Sequence, residues 1–212
     1  MQEYYAENAI IFGSFALLLL YHLHLVRQIR RKPLTTALGL SHDLRRKWVV
    51  SVLQSKPDVM PVQTMRNWIM AASFLASTAV LLSLGMLHVG FIMPANQDIT
   101  QAISFFNPKN ITFWQLRWLA VAADLFFAFF CFSLAIRHWN HASFMINTRL
   151  EDKHHTPQAI TAVINRGSLY NMLGMRGYYL SIPFMLWLMG SVWLLAGTIL
   201  LVVILYHFDR TI

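Results

Sequence analysis

The sequence predicts an all-α membrane protein, a polytopic four-helix bundle with short amphipathic cytoplasmic helices. Three observations lead there. Hydrophobic residues make up 57% of the 212 residues and charged residues 12%, and mean hydropathy is +0.48, too apolar for an ordinary soluble domain. Four windows stay apolar over the roughly 20 residues that a helix needs to cross a bilayer. The 17 Lys and Arg are also unevenly placed: nine fall between Arg27 and Arg66, and five between Arg137 and Arg176. Positive residues collect on the cytoplasmic side of short loops, so both basic segments are expected inside and both termini outside.

The elements follow in order. A first span is expected over residues 8–28; it has no basic leader or small-residue cleavage site, so it reads as a retained helix and not a signal peptide. Pro33 should stop that helix from continuing. Ser41 can then cap a short helix through Gln54 whose Leu44, Trp48 and Val52 share one face, an amphipathic pattern suited to the membrane surface. The second span is expected over residues 67–92, followed by a simple outer connector from Pro94 to Asn110. The third is expected over 112–136. Thr156-Pro157 has the form of an N-cap and first helical residue, opening a cytoplasmic helix with an Ile160, Val163, Ile164 stripe that Gly167 would end. The fourth span is expected over 179–206. No linker, low-complexity tract or repeat divides the chain, so residues 1–212 read as one membrane domain.

Several function classes lose support at this point. The net charge of +8 follows from topology, and no soluble basic face with interleaved aromatics points to nucleic acid. The basic loops are instead expected to meet anionic lipid headgroups. Cys131 is the single cysteine, which excludes an internal disulfide and a cysteine-rich metal centre. No nucleophile–base pair has catalytic spacing, so an enzyme is not the expectation.

Polar residues inside the apolar windows carry the remaining signal. Arg117, Asp124, Cys131 and His138 recur every seven residues on the third helix; Arg66, Ser73, Ser77, Leu84 and His88 share an arc of the second; Glu7, Ser14, Tyr21 and Gln28 share one of the first. Asp124 is the costliest, because a carboxylate at mid-bilayer is unfavourable by about 2.5–3.5 kcal/mol. By helical rise it is level with Ser77 and Thr78, about 20 Å from Arg66 and about 10 Å from Arg117. Hydroxyls of the second helix or a wet cavity are therefore its expected surroundings. Asp124, Arg117, Ser73, Ser77 and His88 form the candidate solute or ion path.

Nine histidines raise a metal or haem alternative. His138 and His141 are the metal candidates, with His154 and His155 in the same loop, but no H-E-x-x-H spacing accompanies them. For a b-type haem, His24 and His138 are level near the inner surface, and His88 and His207 near the outer one. No cofactor is the expectation, with haem as the alternative.

Three segments carry a family resemblance: Gln63-Thr-Met-Arg-Asn-Trp at the second span, Arg137-His-Trp-Asn-His-Ala-Ser-Phe-Met-Ile146, and Gly174-Met-Arg-Gly-Tyr-Tyr-Leu-Ser-Ile-Pro-Phe-Met-Leu-Trp187. Together they resemble the uncharacterised membrane proteins of the DUF599 family, found in bacteria and plants. The resemblance implies a four-span membrane protein and no assigned activity. It draws attention to Gln63, Arg66, Asn67, Asn140, His141, Arg176, Tyr178 and Tyr179, which the topology places at or near the cytoplasmic face; all but Tyr179 are candidates for a cytoplasmic mouth. The expected protein is thus an oligomeric, channel- or transporter-like or small-solute- or ion-binding protein of a bacterial inner membrane, with a lipid-binding scaffold as a further alternative.

Overall fold

The computed structural model describes residues 2–31, 37–55, 59–91, 111–148 and 156–209. Expectations about Pro33, the connector 94–110, His154 and His155 lie outside the described residues. Six helices follow one another: α1 Gln2–Arg31, α2 Ala37–Gln54, α3 Met60–Phe91, α4 Ile111–Thr148, α5 Pro157–Trp187 and α6 Ser191–Asp209. The all-α expectation holds, and α1, α3, α4 and α6 each have the length and hydropathy to cross a membrane.

The fourth expected span, 179–206, is not one helix. α5 ends at Trp187, a turn occupies 188–190, and α6 starts at Ser191. Gly190 sits at φ 141°, a backbone region closed to residues with a Cβ, so the helix breaks there. Hydropathy could not register the break, because Leu188 and Met189 are as apolar as their neighbours. Nor does Gly167 end the cytoplasmic helix: α5 runs through it for 31 residues. Its start does match, since the Thr156 hydroxyl accepts from the Ala159 N–H at 3.2 Å with Pro157 behind it.

The turn reverses the chain, and α6 descends along α5 as a hairpin. Gly197 meets Pro183 and Leu186 near the turn, and Asp209 reaches Arg176 further down. α1 packs on α6 in the same direction, with Leu18 and Tyr21 against Leu201 and Leu205, while Phe15 meets Phe184 and Trp187 at the end of α5. The four-span count had placed both termini outside. Here α6 finishes towards the end of the bundle where the basic residues gather, opposite to where α1 starts.

Glycines set the closest approach in the bundle. A Cβ on Gly167 would lie 2.7 Å from the Trp139 ring, one on Gly174 2.8 Å from Phe132, and one on Gly177 3.0 Å from Ala128. α5 is thereby drawn against α4 over three turns, as small residues allow in membranes. α3 lies antiparallel on another face of α4, where the Ser83 hydroxyl donates to the Ala122 carbonyl at 2.8 Å. At the basic end Trp48, Trp68 and Trp139 stack in series, 5.9 and 5.7 Å between centroids. α2 therefore docks on the bundle instead of lying free on the membrane surface. Val49 is buried there, Arg45 donates to Asn165 Oδ1 at 2.7 Å, and Leu44 of the expected apolar face stays exposed.

Phe132 is fully buried, so its ring has no room to yield to a side chain at 174. Gly174→Leu is expected to destabilise the fold by about 1–3 kcal/mol. Gly85→Leu, on an open face of α3, should stay within about 0.5 kcal/mol of the parent. Thermal unfolding in detergent compares them; equal shifts in Tm would contradict the close-packed α4–α5 seam.

Candidate functional site

Three helices, α1 and the α5–α6 hairpin far from it in sequence, meet at one carboxylate. Asp209 ends α6, where the helix dipole disfavours a negative charge. Arg176 of α5 supplies the compensation: its Nη2 donates to Asp209 Oδ1 at 2.8 Å and to Oδ2 at 2.6 Å. The Tyr21 hydroxyl of α1 donates to Oδ2 at 2.5 Å. Arg176 can reach because helical side chains lean towards the N-terminus, which for α5 is the basic end. A long guanidinium stem then carries its charge out of the deepest layer.

This triad lies about two helical turns from the basic end of the bundle. Tyr21 is six residues from Arg27 on α1, about 9 Å by helical rise. Leu75, whose carbonyl accepts from Tyr178 at 2.7 Å, is nine residues from Arg66 on α3, about 13 Å. Arg176 is only 7% exposed. Both of its bonds to Asp209 use the same nitrogen, and Nη1 is buried with no partner among the described residues. An unpaired buried donor of a charged group costs about 1–3 kcal/mol or more.

A groove of about 500 Å³ opens beside it between α5 and α6, within the size range of small-ligand sites. Met172, Met175 and Ile182 form one wall, Leu201, Ile204 and Phe208 the other, with Arg176, Asp209 and Tyr179 as the polar lining. Leu201 is buried at its floor, while Ile182, Ile204 and Phe208 are exposed at its rim. The site is thus an apolar slot with a few convergent polar groups.

The residues singled out from the sequence are dispersed. Asp124 is half-buried beside Gly177 on the α4–α5 seam, its Oδ2 without a partner among the described residues. The expected hydroxyl neighbours do not reach it: Ser77 is exposed, as is Ser73, which donates to Ile69 O on its own helix, and Thr78 donates to Phe74 O. His88 is exposed. Arg117 closes the opposite end of α4, donating to the Trp187 carbonyl at 3.2 Å and lying 5.6 Å from that ring's centroid. Gln63, Arg66 and Asn67 face outwards from α3, as Asn140 and His141 do from α4.

Of the cytoplasmic-mouth set, Arg176 lines the groove and Tyr178 packs on Phe132 at 5.7 Å, donating to α3. His138 bonds Leu134 O at 2.8 Å on its own helix, and His24, His88 and His207 are exposed. Among the described residues no group of three His, Cys, Asp or Glu could hold a metal ion.

The sequence reading missed Asp209 and gave Tyr21 no role. The signal was present: Asp209 is the single acid after Asp152, and it ends an apolar window that needs a cation. Tyr21 already stood in the polar stripe of α1.

Residues 9–212 match the family model described as protein of unknown function, DUF599, and the chain belongs to that family. No curated protein and no solved structure matches it.

Removing only Asp209 strands the Arg176 cation, so Asp209→Leu is expected to cost about 3 kcal/mol. Arg176→Met with Asp209→Leu removes both charges and should cost less than the sum of the single changes. Thermal unfolding of the four proteins gives the coupling. Simple additivity would show that the pair does not act as a unit.

Proposed function

We propose that this DUF599 chain is a membrane-embedded binding protein for a small apolar ligand, which lies in the α5–α6 groove with its polar end on Arg176. The single observation behind this reading is the buried Nη1 of Arg176, unpartnered among the described residues, on a side chain that lines an otherwise apolar slot. Buried charged donors are ordinarily satisfied, and a ligand acceptor would do so here. The slot opens at the surface of the bundle through the exposed Ile182, Ile204 and Phe208, which would give a molecule dissolved in the bilayer a direct route in.

Binding is favoured over conduction because Ser73, Ser77 and His88 turn away from Asp124 and Arg117 instead of lining one path with them. Polar groups facing lipid are better accommodated against a neighbouring helix. We therefore assign the outward α3 face to contact with a second copy of the chain, in a homo-oligomer of the bacterial inner membrane. The basic ends of α1 and α2 are assigned to anionic headgroups.

Two measurements test this. In vesicles doped with a phosphatidylethanolamine carrying a diazirine on its acyl chain, photolabelling should concentrate on 172–182 and 201–209, and Ile204→Trp should reduce it. Labelling spread evenly onto the exposed face of α1 around Phe12 and Leu19 would count against a ligand site. In a Cys131→Ala background, Ser77→Cys should give disulfide-linked dimers in native membranes. Efficient linking through Leu200→Cys instead, on the exposed side of α6, would move the contact elsewhere.

A further inference from the structure

The charge balance at Arg176 restricts what the groove can hold. Arg176 and Asp209 form a pair of opposite unit charges at 2.6 Å. The Tyr21 hydroxyl spends its proton on the same carboxylate. The cluster offers a ligand no net charge. What it does offer is the buried Nη1, which can only donate.

An incoming anion would have to sit across one guanidinium from the Asp209 carboxylate. Like charges so close repel strongly in apolar surroundings, and Arg176, the single cation among the described lining residues, is already engaged. A cation would meet the donor face of Arg176 and gain nothing there. An uncharged oxygen, by contrast, accepts from Nη1 and leaves the pair intact. The rest of the slot is apolar except for Tyr179, whose ring lines it and which is 38% exposed.

We infer that the groove is selective for neutral lipid-like molecules: an apolar chain bearing an uncharged oxygen acceptor, either an ester carbonyl or an alcohol, seated on Arg176 Nη1. This rests on the groove being a ligand site, as proposed above. The ester would come from a membrane acyl lipid and the alcohol from a free long-chain alcohol.

Competition against the diazirine phosphatidylethanolamine, using the full chain in neutral detergent, tests the inference. The competitors share one chain: hexadecyl acetate, hexadecanol, hexadecyl sulfate as a fixed anion, and hexadecane with no polar end. The acetate or the alcohol is expected to displace the label at concentrations at least about tenfold below those of the sulfate and hexadecane, a factor readily resolved by titration. Whichever of the two leads identifies the source.

In Asp209→Asn the order should invert, the sulfate becoming strongest because the Arg176 cation is no longer balanced. Should that variant fail to fold, Arg176→Met with Asp209→Leu keeps the balance, and in it the acetate and alcohol should fall to the level of hexadecane. A sulfate that competes best in the unmodified protein overturns the neutral selectivity while leaving the groove as a site. Failure of every competitor, hexadecane included, to displace groove labelling overturns the binding reading itself.

Discussion

The arrangement of this protein depends on how closely α5 can approach α4. Gly167, Gly174 and Gly177 put bare backbone opposite Trp139, Phe132 and Ala128. In lipid, where apolar side chains gain little by leaving the solvent, such close packing is a main source of helix association. The seam fixes the height of α5, carrying Trp187 up to Arg117 at the far end of the layer. From there the turn at Gly190 sends α6 back down. The position of Arg176, and hence of the groove, follows from that register.

The ion pair at the foot of the hairpin has a different character. Buried pairs seldom stabilise more than well-packed apolar residues would, because each charge must first be desolvated. Its value here lies in specificity. α1 meets the rest of the described bundle mainly through α6, and the Tyr21–Asp209 bond sets which turn of α1 faces which turn of α6. Asp124 contrasts with it. Its carboxylate has an unpartnered oxygen, and no cation of the described residues pairs with it. Cost alone therefore does not identify a site; convergence of neighbours does.

Hydropathy, charge asymmetry and capping chemistry made much of the architecture legible. The helical class, the first three spans, the basic end of the bundle and the Thr156-Pro157 start of α5 each rest on local signals, which a chain carries wherever it folds. The Gln63–Trp68, Arg137–Ile146 and Gly174–Trp187 segments likewise carried the family. Arg176 was legible as a residue of interest but not as a member of a site, because its partners lie 33 residues ahead and 155 residues behind in the sequence.

What the sequence determined by itself, then, was an all-helical membrane protein with its basic residues gathered at one end. Only the tertiary structure decided that the last apolar window is a hairpin, that Ser73, Ser77 and His88 face away from Asp124, and that Tyr21, Arg176 and Asp209 converge beside an apolar slot. The physical reason is that hydropathy integrates over a window and averages away a three-residue turn. Helix rotation and register are set by glycine-to-ring contacts between segments far apart in the chain.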